Sequence, residues 1–200
     1  MRWILLVTSF CLLITASLEA GEKRVEITPA GRELIQTEPK KTATAAFLVT
    51  NKTSEKLELT TDVKLPAGWT LVTGDLPFEL GANESDLRLV SFFIPKNAPA
   101  STYEVTYLIK ESSTPVSDLF SLRVAVLPII KLDAKLLEAP EYVLAGDPYH
   151  VYFIVTNESN VENNVSIDIY SSGYLPFVVD AKELKLAAGE SKTVTVTVKT

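Results

Sequence analysis

Cysteine is the scarcest chemistry in this 200-residue chain, with one copy, Cys11, inside an apolar leader. Beyond residue 20 there is none, which excludes disulfide staples and cysteine-ligated metal and leaves any core to be held by burial alone. Histidine is as sparse: His150, between Tyr149 and Val151, has no second imidazole for a metal site and no G-x-S-x-G elbow to serve as base. Core or rim packing on a strand is its expected role. Alternating acidic runs of the D-x-[DN]-x-[DN]-G kind, which bind calcium, are missing. Positive charge is in deficit, 19 basic against 25 acidic side chains for a net −6, and a dispersed acidic surface repels phosphate backbones, which excludes nucleic acid as a partner. The carboxylate pairs Glu138/Glu141 and Glu158/Glu162 fall in loops, where solvated turn charge is expected rather than the cleft a glycosidase needs. Catalytic, cofactor and metal residues are therefore expected to be none, and the chain is not expected to be an enzyme.

The one long apolar run stands at the start. Met1-Arg2 precede an uninterrupted apolar or small stretch over 3–14, and Thr15-Ala16-Ser17-Leu18-Glu19-Ala20 lead out of it to Glu22-Lys23-Arg24. A positive start, a short apolar run and a small-residue exit make a secretory signal peptide over 1–20, and the run falls short of the ~20 residues needed to span a bilayer. The mature part is expected to be exported to the periplasm, cell surface or medium, with no transmembrane span. Disulfide-free sandwiches in an oxidising compartment favour a bacterial source.

What is present is a repeat. Phe47-Leu48-Val49-Thr50-Asn51 returns as Phe153-Ile154-Val155-Thr156-Asn157, and Leu80-Gly81-Ala82-Asn83-Glu84-Ser85 as Leu186-Ala187-Ala188-Gly189-Glu190-Ser191. Both recur at one offset of 106, from 47 to 153 and from 80 to 186, and a unit of about a hundred residues is the size of an immunoglobulin-like sandwich. Period-2 alternation between turn residues predicts strands over 42–51, 57–63, 87–94, 103–109, 119–127, 149–157, 165–170 and 193–198. Gly189 is placed to take a positive φ in a tight turn. The fold class predicted is all-β: two tandem antiparallel immunoglobulin-like β-sandwiches behind a signal helix, with units at 21–128 and 129–200. Leu127-Pro128 marks the boundary, since proline cannot donate to a ladder, and without a Gly/Ser linker the units should sit in a fixed relation, with Ile129 and Ile130 as interface or opening strand. Fewer strands follow Leu186 than follow Leu80, so the second sandwich reads as incomplete by two strands. Continuation past Thr200, or a strand donated by a partner, is expected to cover its apolar groove.

Phe47-Leu48-Val49-Thr50-Asn51, the corner Leu65-Pro66-Ala67-Gly68-Trp69, Ile94-Pro95 and Asn97-Ala98-Pro99-Ala100-Ser101-Thr102-Tyr103 resemble the bacterial and archaeal immunoglobulin-like domain of the alpha-galactosidase-associated type, with Ser101 where that family usually has glycine. The likeness covers about residues 40–127, and 145–200 resembles related adhesion-type tandem repeats. The resemblance implies accessory modules in exported proteins, without catalytic residues. The function expected is a non-catalytic structural or binding module that spaces or displays other parts of an envelope or secreted protein through protein–protein contacts. A pilus-chaperone-like assembly factor using strand donation and a carbohydrate-binding accessory module are the alternatives. Partners would be a protein or downstream domains, or a glycan. Tyr170, Tyr174, Phe177 and Trp69 are the candidate contact surface, weighed against plugging the end of the second core for the loop aromatics and buried corner packing for Trp69.

Overall fold

The structure, a computed structural model, describes residues 23–74, 76–111, 118–171 and 173–200. The signal-peptide reading lies outside the described residues, as does Cys11. Among the described residues there are fifteen strands and no helix. The first sandwich pairs one sheet in the order β1 (Val25–Pro29), β3 (Thr42–Asn51), β7 (Ser85–Phe93), β5 (Thr70–Leu71) with a second in the order β2 (Leu34–Thr37), β9 (Asp118–Val126), β8 (Ser101–Glu111), β4 (Leu57–Lys64), β6 (Phe78–Leu80). Among the described residues only β2 with β9 runs parallel. The second sandwich repeats the first sheet as β10 (Leu132–Glu138), β11 (Tyr149–Asn157), β15 (Ser191–Val198), β13 (Phe177–Val179), and faces it with a two-stranded sheet, β12 (Asn163–Ser166) and β14 (Glu183–Leu186).

Alternation dictates the cores. Along β3, Ala43, Ala45, Phe47 and Val49 point inward while Thr42, Thr44 and Leu48 face out. They meet Val105, Tyr107 and Ile109 of β8 and Leu122 and Val124 of β9, and Phe47 stacks on Tyr107 with centroids 4.7 Å apart and planes 12° apart. Among the described residues, twenty buried apolar side chains close this core, and four, Val155, Leu184, Leu186 and Val194, close the second. Apolar burial is the main favourable term in folding, so the first core is the stronger.

The 106-residue repeat extends to single atoms. Asn51 and Asn157 are both fully buried. The Asn51 Nδ2 donates to the carbonyls of Glu55, Leu80 and Gly81, and the Asn157 Nδ2 to those of Val161, Leu186 and Ala187. Each Oδ1 accepts the backbone N–H two residues on, from Thr53 and from Ser159. A buried amide that satisfies three carbonyls at once fixes the strand end to the opposite turn, and its desolvation is offset in full. Beyond each amide the turn is closed alike: Glu84 accepts from the Gly81 N–H at 2.6 Å and Glu190 from the Ala187 N–H at 2.7 Å, while Asn83 and Gly189 occupy the same left-handed step at φ 56° and 77°. The predicted positive φ of Gly189 is present. Where β4 meets β6, Lys56 bridges Glu79 at 2.5 Å; where β12 meets β14, Glu162 bridges Lys185 at 2.9 Å, the same pair with its charges exchanged.

One residue departs from the repeat and ties the sandwiches together. Asn160 stands where the first unit has exposed Ser54, and it is buried. Its Nδ2 donates to Ala98 O and Leu127 O, its Oδ1 accepts from the Ile129 N–H, and its carbonyl accepts from the Ala100 N–H. Ile129 and Ile130, predicted as interface or opening strand, belong to no strand and are exposed; the chain re-enters a sheet at Leu132.

Candidate binding groove on the second sandwich

Strand positions β2, β8 and β9 of the first sandwich have no counterpart among the described residues of the second. The consequence appears on β12. In the first sandwich β4 continues to Lys64 because β8 pairs with it from Leu59↔Glu111 to Lys64↔Thr106. The equivalent stretch, Val165 to Tyr170, holds its pairing with β14 only as far as Ser166. The strand predicted over 165–170 therefore stops at Ser166: residues 167–170 keep the alternation but lack the neighbour whose ladder would make them a strand.

Beside this edge lies a groove with a cavity of about 460 Å³. One wall is Val165, Ile167, Ile169 and Tyr170; the other is Leu132 and Ala134 of β10, Phe153 and Val155 of β11 and Val194 of β15. Phe153 is the repeat partner of Phe47, and it is half-buried where Phe47 is fully buried. Apolar walls with two acidic rim side chains, Asp168 and Asp133, the latter bridged to Lys135 at 2.7 Å, suit an amphipathic polypeptide segment.

The predicted contact residues divide. Tyr170 is 91 % exposed and lines the groove. Tyr174 is 95 % exposed, outside the groove lining, and takes a left-handed φ of 55° at the step where the first unit has Gly68 at φ 80°. A bulky residue in that region is strained by roughly 1–2 kcal/mol. Phe177 is half-buried on β13, opposite Val198, in the place of Leu71; Leu71 packs against the first core, whereas the side chains packed on the second core are Val165, Ile167, Val179 and Ala181. Trp69 is only 9 % exposed and lies between Phe92, centroids 5.6 Å apart, and Tyr103, 5.1 Å apart. The corner Pro66 to Trp69 closes through the Trp69 N–H on Pro66 O, and the Tyr103 hydroxyl donates to Pro99 O at 2.9 Å. Burial pushes the Tyr103 phenol up. The two motifs that carry the family resemblance thus meet as packing at one end of the core, and Trp69 leaves the contact surface.

Among the described residues no group of three or more His, Cys, Asp or Glu side chains is placed to hold a metal. His150 is exposed rather than buried in the core: it occupies the position of Thr44, its Nδ1 3.0 Å from Thr197 Oγ1, as Thr44 Oγ1 is 2.7 Å from Ser91 Oγ. Glu158 bridges Lys131, and Glu162 bridges Lys185, so these carboxylates face lysines and not each other. Both lysines are held above their ordinary value by the carboxylate hydrogen bond. Sequence reasoning missed the role of Asn160; its signal was the break in the repeat, an asparagine where Ser54 stands.

No family model matches the chain, and no curated protein matches it. Solved structures that are similar include a protein of unknown function from Porphyromonas gingivalis, 16 % identical, covering 88 % of this chain and 83 % of that one at a TM-score of 0.36. A CARDB domain from Pyrococcus furiosus, in complex with di-metal ions, is 13 % identical over 52 % of this chain and 85 % of that one, at 0.37. A PapD-like domain of human CEP192 is 14 % identical over 60 % of this chain and 97 % of that one, at 0.38. Likeness of this size carries no argument about function.

Proposed function

We propose that the chain is an exported, non-catalytic structural module of a cell-envelope or secreted protein, working through protein–protein contacts made at the open face of its second sandwich. The observation that carries the reading is the contrast between a closed first core and an apolar groove beside Val165 to Tyr170 in the second. An exposed apolar patch of this kind marks an interaction surface. Export rests on the leader over 1–20, and the accessory role on the resemblance of residues 40–127 to the alpha-galactosidase-associated immunoglobulin-like type. The test is expression in a bacterial host with a photo-crosslinking amino acid at Tyr170 or Tyr174. The expected result is a chain lacking residues 1–20 by mass, recovered outside the cytoplasm, with protein adducts after irradiation. A chain retaining Met1 in the cytoplasm overturns export; absence of protein adducts at every surface position tried overturns the binding role.

A further inference from the structure

The first sandwich holds a cavity of its own, where its opening strand changes sheets. β1 pairs with β3 only from Val25↔Asn51 to Pro29↔Phe47, and one further bond, Ala30 N–H to Ala46 O, follows. The chain then crosses the edge of the sandwich and joins the other sheet as β2, beside β9. β3 keeps β7 as its partner throughout, from Thr50↔Ser85 to Thr42↔Phe93. Among the described residues, its side turned toward β1 is thus left without a strand over Thr42–Ala45. A cavity of about 220 Å³ lies there, with Ile35, Ala45, Phe47 and Leu122 as apolar lining and Gly31 and Arg32 of the crossing segment beside them. Alanine at 45 and 46 leaves space that larger side chains would take; the repeat has Val151 and Tyr152 at these positions.

Charge decides what fits. Arg32 is exposed, and among the described residues it forms no ion pair or hydrogen bond. The lining residues include no carboxylate to neutralise it. An apolar chamber with one unpaired guanidinium at its rim supplies both halves of one kind of recognition. Hydrocarbon is removed from water inside, and the planar fork outside matches a carboxylate with two parallel N–H···O bonds. The volume lies below the roughly 300–1,000 Å³ of sites for drug-sized ligands, which sets the scale at a short chain. We propose that this cavity binds a short aliphatic carboxylate, its hydrocarbon end against Phe47 and Leu122 and its carboxylate on Arg32. An aliphatic amine would meet like charge at the rim, and an inorganic anion would leave the apolar lining unused.

The test is titration of the purified chain with isocaproate, followed by backbone amide NMR shifts. Saturation is expected in the roughly millimolar range that about eight non-hydrogen atoms support, with the amides of Gly31, Arg32 and residues 45–47 moving. Isocaproamide should bind about fivefold more weakly, the size of an exposed ion pair, and isohexylamine more weakly still. Arg32→Gln should weaken the acid by the same factor and leave the amide unchanged. Gly31→Leu should abolish binding without moving the urea midpoint. A Cβ added at Gly31 meets no atom within 4 Å and the backbone there is not left-handed, so the fold accepts a side chain at the mouth of the cavity. No saturation, shifts confined to other parts of the chain, equal affinity for acid and amide, or binding unaffected by both variants overturns the proposal. A peptide ending in a leucine carboxylate that binds where isocaproate does not overturns it as well, and assigns the cavity to the end of a protein chain. The binding role of the second sandwich is tested by its own crosslinks and stands or falls without this result.

Discussion

In the first sandwich Phe47 is fully buried beneath Tyr107; in the second Phe153, its repeat partner, lines an open groove. The strands around the two rings share one register: β3 pairs with β7 through Phe47↔Arg88, and β11 with β15 through Phe153↔Val194, both partners displaced by 106. The same strand plan therefore yields a closed core or an open one according to whether a strand lies in the β8 position. Local sequence dictates the sheet, and the neighbour dictates the burial.

The largest effect expected separates these rings. Phe47→Ala should cost about 3–5 kcal/mol, as for truncation of a buried phenylalanine, whereas Phe153→Ala should cost roughly 1–2 kcal/mol, because much of its surface is already lost to water. Urea titration of each variant measures both, and equal costs would erase the distinction between the sandwiches. Next comes their connection. Asn160→Ala removes three side-chain hydrogen bonds that span the junction, and is expected to cost about 1–3 kcal/mol by leaving buried backbone groups unpaired. Proteolysis within 127–131 should quicken in step; unchanged cleavage and stability would show that the latch holds nothing. The smallest effect is a pH dependence of one turn. The Ala187 N–H holds the Glu190 carboxyl below its ordinary value, with Lys192 adding to it. A group lowered on folding stabilises above its unfolded value, and that contribution disappears as pH falls from the usual glutamate range through the lowered one. Protection of the Ala187 amide, taken relative to its intrinsic exchange rate at each pH, should fall on acidification over that window, and Glu190→Gln should remove this pH dependence.

Much of this architecture is legible in the sequence because it rests on long alternating strands. The predicted limits 42–51 and 149–157 coincide with β3 and β11, and the offset of 106 holds down to hydrogen bonds of Asn51 and Asn157. The short strands β1, β2, β5, β6, β10, β13 and β14 went unread, since two to seven residues carry little period of their own and become strands through their neighbours. For the same reason the predicted strand over 165–170 overshot Ser166. The aromatic cluster was legible as residue types but not as positions: Tyr170, Tyr174 and Phe177 correspond to Lys64, Gly68 and Leu71, and only that correspondence separates the groove-lining tyrosine from the half-buried phenylalanine of β13. Trp69 belongs to the interior because Phe92 and Tyr103 enclose it, and no local pattern announces both neighbours.

The exchanged ion pairs, Lys56 with Glu79 and Glu162 with Lys185, bear on how two near-copies reach their native states side by side. Adjacent homologous units risk trading hairpin strands while they emerge and collapse. Were β4 to dock on β14, Lys56 would confront Lys185; were β12 to dock on β6, Glu162 would confront Glu79. Either chimera sets like charges diagonally across the mouth of the hairpin, yet in the β4–β14 exchange Glu58, which faces Glu79 in the native ladder, would face Lys185 instead. The inverted polarity thus weighs against the β12–β6 exchange, where Glu162 meets Glu79, and leaves the β4–β14 exchange close to neutral.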